Sequence, residues 1–437
     1  MVDLTGFIVG LFVLLTAAVL VGELFSRLGQ AALVGQLLVG IVLGPTLLGS
    51  YFGLTGVNDE LAGIQFLATF FILVMAGLEV SPEQLASTGA MSGLLGIAVF
   101  VGPFLIGAFI VPIVVHGLSF TTTLFISLTL SITALPVMGV MLKEFGLTKT
   151  RLGVMLMNTS VINELAAVTT FAVLLRLNSS GFGFSEILIA VLSVAVFLGA
   201  VLSAHMLLRV TRETRIGRSI RERLSHMWRS RNAGFAILMV LALGAALFSQ
   251  FLGLTFLVGA FYAGLLITPA SAGPREHRSI SQTFEVMTWG FFIPLFFAFV
   301  GLGMNLRTLA SPAALVTFGV LAVFALLSKF ILGTGVARIL NWSRSDSLAI
   351  GFFVSSRGAV ELAMALILLD LGIFSVEIFT LVAAVGLVTT IVSPIGAGHF
   401  GGFKTGSAES PLNLSPSPNI RGSPQILADV VTDPGDD

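Results

Sequence analysis

The chain has 437 residues, a mean hydropathy of +1.04, 56% hydrophobic residues and only 10% charged ones. A soluble domain needs a surface of which about a quarter to a third is charged, so this composition excludes one and predicts that lipid surrounds most of the protein. The formal net charge of zero gives no sign of a nucleic-acid partner. The absence of cysteine excludes disulfides, thiolate metal sites and cysteine nucleophiles.

Thirteen stretches of the sequence are long and apolar enough to cross a bilayer, which takes about 20 residues of helix. Because they are continuous apolar runs without the alternation of barrel strands, they predict α-helices. The first run is too long for the core of a signal peptide and follows Asp3 rather than a basic residue. With approximate ends, the predicted spans are 4–25, 31–50, 61–79, 89–115, 120–143, 150–176, 185–208, 231–249, 252–270, 285–304, 311–337, 346–369 and 374–398. The segment 401–437, rich in Pro, Ser, Gly and Asp, is predicted to be a disordered cytoplasmic tail.

The basic residues of the connections predict the orientation of the chain, since loops rich in Lys and Arg stay in the cytoplasm. The connections after the odd-numbered spans contain Arg27, Lys143, Lys149, Arg151, Arg209, Arg212, Arg215, Arg218, Arg221, Arg223, Arg229, Arg231, Arg275, Arg278, Arg338 and Arg344. The opposite side has only Arg176 and Arg307. This alternation supports thirteen spans with the N-terminus outside and the C-terminus in the cytoplasm. The eight arginines of 209–231 are interpreted as a topology anchor, with lipid-headgroup binding or regulation as the alternative.

The spans divide into six, one linking span and six more, which places two similar halves upside down with respect to each other. The fifth span of each half is interrupted. Span 5 is interrupted at 129–136, where Pro136 removes a backbone donor. Span 12 is interrupted at 351–358, where two glycines, two serines and Arg357 lie within an apolar run. Either one alone is compatible with an ordinary kink, but two at matched positions favour a substrate site near the bilayer midplane.

Few charged residues lie deep within the predicted spans, where each charge costs at least about 2.5 kcal/mol. Glu164, next to Asn163 in span 6, is the leading functional candidate. A carboxylate in an apolar interior must be neutralised by a proton or a cation, and competition between these two ligands is the physical basis of exchange. Ser160 lies four residues earlier and shares the helix face of Glu164. The alternative is that Glu164 is permanently paired with Lys329 in span 11.

The remaining deep charges are assigned mainly structural roles. Arg357 and Glu361 are four residues apart in span 12 and can pair on one helix face; we expect this pair to hold the interrupted helix and neutralise its ends, with a direct transport role as the alternative. Lys329 either releases protons itself or holds a carboxylate or a helix end. Glu79 is interpreted as a helix-end residue of span 3, with a place in a cytoplasmic vestibule as the alternative. No HExxH, GxSxG or P-loop motif is present, so we expect neither an enzyme nor a cofactor.

At these residues the sequence resembles the monovalent cation:proton antiporter superfamily. The similarity is to its second large group, which comprises bacterial sodium/proton antiporters, potassium efflux transporters and plant cation/proton exchangers. The similar stretches follow one another in the family's order over nearly the whole membrane region: 28–45, 132–137, 291–302, Lys329 and 357–362.

The resemblance implies an all-α polytopic membrane protein of about thirteen helices, with six-helix inverted repeats whose two discontinuous helices cross. It implies a panel domain built from spans within 1–79 and 231–304, through which two copies form a homodimer. It also implies a core domain built from spans within 89–176 and 311–398. In an elevator mechanism the core domain moves against the panel domain.

The resemblance also implies an ion site. Two adjacent polar residues of the family's sixth span bind the ion and the proton, and they map to Asn163 and Glu164. A broken-helix residue and a nearby hydroxyl complete the site, here Thr133 and Ser160, so that Glu164, Ser160 and Thr133 bind Na⁺ or K⁺. The family's basic residue of span 11 maps to Lys329. The chain departs from the family at Glu164, where aspartate is usual and the carboxylate is shifted by one methylene. Asparagine as the first residue of the pair resembles the electroneutral one-for-one exchangers, whereas a lysine in span 11 is also common among electrogenic members.

The expected function is therefore exchange of Na⁺ or K⁺ for protons across the plasma membrane of a bacterium, with no cofactor beyond the transported ions. A potassium efflux system with loosely coupled, channel-like transport is the alternative. The Gly-rich βαβ pattern of its usual nucleotide-binding domain does not follow the last span. A transporter-like ion sensor is a third hypothesis, and none of the three involves nucleic acid.

Overall fold

The computed structural model describes residues 4–28, 31–49, 59–80, 89–213, 233–268 and 274–402, and the regular secondary structure in these ranges is entirely helical. Sixteen α-helices follow one another in the described ranges: α1 (Leu4–Arg27), α2 (Ala32–Leu43), α3 (Asp59–Leu78), α4 (Gly89–Val114), α5 (Phe120–Thr129), α6 (Leu135–Glu144), α7 (Arg151–Ser180), α8 (Phe184–Glu213), α9 (Ala233–Phe251), α10 (Phe256–Leu266), α11 (Pro274–Met287), α12 (Ile293–Gly303), α13 (Pro312–Ile339), α14 (Arg344–Phe353), α15 (Ala359–Asp370) and α16 (Val376–Gly401). A π-helical turn, Thr288–Phe292, joins α11 to α12, and a 3₁₀ turn, Leu306–Leu309, follows α12.

Each of the thirteen predicted spans overlaps with one of these helices or a pair of them. Within the described ranges, nine helical stretches are long and apolar enough to cross a membrane, and α2, α5 and α10 are shorter apolar helices. The outward surface is apolar; Phe12 on α1 is 69% exposed and Leu188 on α8 is 57% exposed. Lipid stabilises such a surface and water does not, so the fold is that of an integral membrane protein. The number of crossings stays a prediction.

The structure confirms both predicted interruptions. In span 5, α5 ends at Thr129 and α6 begins at Leu135. Proline fits the first turn of a helix, where no amide donor is needed, but not its interior, so Pro136 starts α6 instead of continuing α5. In span 12, α14 ends at Phe353 and α15 begins at Ala359. The two linking segments, 130–134 and 354–358, are almost completely buried.

Two pairs of glycines bring helices into backbone contact. In the contact of α2 with α12, a Cβ atom on Gly40 would overlap the carbonyl oxygen of Ala298 and lie 2.8 Å from the Cα of Gly301. In the contact of α3 with α10, a Cβ atom on Gly77 would overlap the carbonyl oxygen of Phe261. Small residues allow such close approach, and van der Waals packing then holds membrane helices together.

We expect Gly40→Ala to lower the melting temperature of the purified protein in detergent, because the added methyl group meets backbone atoms that cannot rotate away. Overpacking of this kind costs about 1–3 kcal/mol. Gly63→Ala on α3 is the matched control, since no atom lies within 4 Å of its added Cβ and alanine favours a helix. Equal losses of melting temperature in the two variants would contradict the packing role of Gly40.

Two predicted segments lie mostly outside the described residues. Of the predicted tail 401–437, only Gly401 and Gly402 are described, at the end of α16. Most of the arginine-rich segment 209–231 is also outside them, since α8 ends at Glu213 and α9 begins at Ala233. Both predictions stay predictions.

Candidate functional site

The two interrupted helices meet at their linking segments and hydrogen-bond to each other. The backbone amide of Ala134 donates to the carbonyl oxygen of Ser356 at 3.3 Å. The hydroxyl of Thr133 donates to the carbonyl oxygen of Val354 at 2.7 Å. Away from water, the backbone groups that an interrupted helix frees must find partners within the protein. Each linking segment supplies partners for the other.

Asn163, on α7, fastens the first linking segment. Its side-chain oxygen accepts the backbone amide of Thr133 at 2.7 Å, and its side-chain nitrogen donates to the carbonyl oxygen of Ser131 at 3.2 Å. The residue is completely buried. The structure therefore places Asn163, the predicted neighbour of Glu164 in the ion site, at this crossing. Both the oxygen and the nitrogen of its side-chain amide are hydrogen-bonded to the backbone.

Glu164 is completely buried and faces the start of α6. Its Oε1 accepts the backbone amide of Leu135 at 2.9 Å, where the positive end of the helix dipole favours an anion. Its Oε2 and the hydroxyl of Ser160, also completely buried, have no hydrogen-bond partner among the described residues. Ser160 and Glu164, one turn apart on α7, thus offer unused oxygen ligands, which suit a proton or a hard cation.

Lys329, on α13, is completely buried and donates to the hydroxyl of Thr133 at 2.7 Å. The structure contains no ion pair between Lys329 and Glu164, so it gives no support to the alternative of permanent pairing. The hydroxyl of Thr133 therefore has two partners, Lys329 and Val354. One lone pair of its oxygen remains for an ion.

The predicted pair of Arg357 and Glu361 is confirmed, with 2.9 Å between the guanidinium and the carboxylate and no exposure of either side chain. The guanidinium also donates to the carbonyl oxygen of Thr129 at 2.8 Å and to that of Leu130. These carbonyl groups end α5, where the helix dipole is negative. Arg357 thus neutralises the end of one broken helix from within the other. Thr390, on α16, fixes Arg357 by donating to its carbonyl oxygen at 2.9 Å.

A cavity of about 640 Å³ reaches this crossing from one side of the molecule. One wall belongs to α1, α2, α3, the π-helical turn and α12, and the other wall to α6, α15 and α16. Pro136 lines the cavity, next to Leu135, whose amide binds Glu164. The start of α6 therefore lies between the carboxylate and the space that an ion would enter.

Sequence reasoning missed several polar residues around the cavity. Gln36, Thr288 and Thr390 line it, and none was singled out. The signal for Thr390 is its place in a run of hydroxyl residues within an apolar span, but Gln36 and Thr288 are single neutral residues that gave none. Glu79 also lines the cavity, as its alternative interpretation as a vestibule residue anticipated.

The transmembrane family model of sodium/hydrogen exchangers matches residues 11–400 of the chain. The Na(+)/H(+) antiporter NhaS4 of Synechocystis sp. is 25% identical, over 88% of this chain and 94% of its own length. The Na(+)/H(+)-K(+) antiporter GerN of Bacillus cereus is 25% identical, over 87% of this chain and 92% of its own. The K(+)/H(+) antiporter 1 of Saccharomyces cerevisiae is 26% identical, over 84% of this chain and 43% of its own length.

A solved structure supports the fold independently. The sodium proton antiporter MjNhaP1 from Methanocaldococcus jannaschii at pH 8 superposes with a TM-score of 0.68, covering 92% of this chain and 98% of that chain. The identity is 16%, so this likeness shows the fold alone. The resemblance predicted from the sequence is confirmed by the family match, which covers nearly all of the predicted spans. The chain belongs to the sodium/hydrogen exchanger transmembrane family, a family of ion transporters.

Proposed function

We propose that the protein exchanges Na⁺ or K⁺ for protons, with Glu164 binding the two ions in competition. The observation that carries this proposal is the buried carboxylate of Glu164, whose Oε2 has no partner among the described residues and which forms no ion pair with Lys329. An isolated carboxylate is costly in an apolar interior until a proton or a cation neutralises it. Because it can bind only one of them at a time, the two fluxes are coupled. Relatives named as sodium/proton and potassium/proton antiporters support this assignment.

The cation would bind to Oε2 of Glu164, the hydroxyl of Ser160 and the remaining lone pair of Thr133. Asn163 and Lys329 hold the linking segment that carries Thr133, and Arg357 with Glu361 holds the second broken helix against it. No further cofactor is required, since the transported ions supply the only chemistry of the cycle.

We further propose thirteen spans in two inverted repeats. In such an arrangement span 2 corresponds to span 9 and span 3 to span 10. The glycine contact of α2 with α12, between spans 2 and 10, then has its symmetric counterpart in the contact of α10 with α3, between spans 9 and 3. The matched interruptions of spans 5 and 12 support the same symmetry.

The proposed cycle is an elevator. The two walls of the cavity belong to the proposed panel domain, from spans within 1–79 and 231–304, and to the proposed core domain, from spans within 89–176 and 311–398. The cavity lies near the ends of α1 and α6, whose connections carry Arg27 and the Lys143 region, so by the positive-inside rule it opens to the cytoplasm. The assembly would be a homodimer through the panel domain in a bacterial plasma membrane, with the N-terminus outside and the C-terminus inside.

Reconstituted wild-type protein should dissipate a pH gradient across proteoliposomes when Na⁺ or K⁺ is added. Because protons compete for the same carboxylate, the apparent KM for the cation should fall as the pH rises, by up to about tenfold per pH unit while the site is mostly protonated. The measurement is cation-dependent proton flux with a pH-sensitive dye, for each alkali cation. A voltage clamp by ionophore reports whether one charge moves in each direction.

The same assay separates exchange from the potassium efflux alternative. Potassium flux that continues without proton movement would favour loosely coupled efflux. A KM that does not change with pH would contradict competition at Glu164, even if both ions are transported.

A further inference from the structure

The cavity wall opposite the broken helices contains two buried oxygens without partners. Gln36, on α2, is 8% exposed and Thr288, the first residue of the π-helical turn, is completely buried. Both residues line the cavity, and neither Oε1 of Gln36 nor the hydroxyl of Thr288 has a hydrogen-bond partner among the described residues. A buried polar atom left unpaired has lost its hydrogen bonds to water without gaining any in the protein. Two of them facing one cavity point to a ligand that occupies it.

A carboxylate lies on the same wall. Glu79 follows the last residue of α3, lines the cavity, and lies within range of electrostatic repulsion by Glu285 on α11. Glu285 precedes Thr288 by three residues, so it lies about one helical turn before it. The rings of Phe71 and Phe292 stack with centroids 4.1 Å apart and fasten α3 to the π-helical turn. Glu79 is therefore positioned beside the turn that begins at Thr288.

Local structure fixes the two neutral ligands in place. A Cβ atom on Gly22 of α1 would lie 3.1 Å from the Cγ of Gln36, so the side chain of Gln36 is packed against α1. At the other position, the amide of Ile293 bonds the carbonyl oxygen of Thr288 five residues earlier, and Pro294 offers no amide to restore the α-helical pattern. Such π-helical turns are frequent at functional sites.

Acidic side chains outnumber basic ones in the described lining of the cavity. Its described lining includes Glu79, Glu144 and His399 but no Lys or Arg. A low-dielectric cleft of one sign concentrates ions of the opposite sign. Glu79 is also within electrostatic range of Glu164, so a cation bound beside Glu79 lies in the field of both carboxylates.

We propose that Glu79, Gln36 and Thr288 form a second monovalent-cation site, on the cavity wall that faces the broken helices. This inference rests on the proposed function, and it adds a second site that binds the cation on its way between Glu164 and the aqueous side. The carboxylate of Glu79 supplies the charge, and the two neutral oxygens replace part of the hydration shell. Because the site belongs to the proposed panel domain, it stays in place while Glu164 moves.

Equilibrium binding of Tl⁺ to the purified full-length protein tests the second site. The number of Tl⁺ ions bound per chain should fall by half in Glu164→Gln and by half in Glu79→Gln, and binding should be lost in the double variant. Within the Glu164→Gln background, Gln36→Leu and Thr288→Val should each weaken the remaining Tl⁺ binding about tenfold, because each removes one oxygen ligand. Na⁺ and K⁺ should displace Tl⁺ from both sites.

Glu144→Gln is the matched control, since it removes a carboxylate from the opposite wall of the same cavity. It should leave the Tl⁺ stoichiometry unchanged. The second site is refuted if Glu164→Gln alone abolishes Tl⁺ binding. It is also refuted if Glu144→Gln, added to Glu164→Gln, removes the remaining Tl⁺ ion as Glu79→Gln does, since the general charge of the cavity then explains the binding. Cation-coupled proton flux that is unchanged in Glu164→Gln is a different result, and it refutes the proposed function itself.

Discussion

Glu164→Gln should reduce cation-dependent proton flux in proteoliposomes to the level of protein-free vesicles. Glutamine has nearly the same volume and keeps an oxygen that can accept the amide of Leu135, which Glu164 accepts at 2.9 Å. It has no charge, however, so it neither takes up a proton nor attracts a cation. The substitution therefore removes the competition between ions while leaving the contact between α6 and α7 in place. Flux of both Na⁺ and K⁺ should disappear together with the flux of protons.

Two control variants test whether the loss of flux in Glu164→Gln comes from the loss of the carboxylate charge. Glu164→Asp keeps the carboxylate but withdraws it by one methylene from Leu135, so exchange should persist with a changed KM for the cation. Glu23→Gln removes a surface carboxylate that is 61% exposed and paired with Arg27, and exchange should be unaffected. The melting temperature of Glu164→Gln should not fall, because a buried charge is replaced by a neutral amide. Normal flux in this variant, or a large loss of melting temperature, would instead assign Glu164 a structural role.

The helical architecture could be predicted from the sequence because a bilayer leaves few choices. An apolar run of about 20 residues must form a helix, and Pro136 within one run must interrupt it. Helix ends were less predictable. Span 10 was predicted to begin at 285, but α11 begins at Pro274. The extra residues are polar and helical, and hydropathy detects only the apolar part of a helix.

Part of the site could also be predicted. The cost of a buried charge singled out Glu164 and Lys329, and the spacing of four residues predicted the pair of Arg357 and Glu361. Spacing cannot predict contacts across the fold. Lys329 binds the hydroxyl of Thr133, which lies 196 residues away, and Asn163 binds backbone atoms that a sequence does not place. The cavity wall with Gln36 and Thr288 could not be predicted from spacing either, since its residues come from different helices.

Arg357→Met should destabilise the protein by about 3–5 kcal/mol, because removing one partner of a buried ion pair leaves the other charge uncompensated. Here the charge left behind is that of Glu361, which has no exposure to solvent. The carbonyl groups of Thr129 and Leu130 also lose their donor. The measurement is thermal unfolding in detergent. The surface pair of Arg27 and Glu23 is the matched control: its N–O distance is 3.0 Å with the same spacing of four residues, but its side chains are 76% and 61% exposed, so Arg27→Met should cost less than about 1 kcal/mol.

The double variant Arg357→Met, Glu361→Met distinguishes the two causes of this loss of stability, which are the uncompensated charge of Glu361 and the lost donor to the end of α5. Removing Glu361 as well abolishes the uncompensated charge, so the melting temperature should recover in part relative to Arg357→Met. It should stay below that of the wild type, because no side chain then donates to the carbonyl groups that end α5. Arg357→Lys should be intermediate, since an ammonium keeps the charge but lacks the planar fork that reaches Glu361 and both carbonyl groups. If the double variant is as unstable as Arg357→Met, the end of α5 is what Arg357 stabilises, and the pair with Glu361 contributes little.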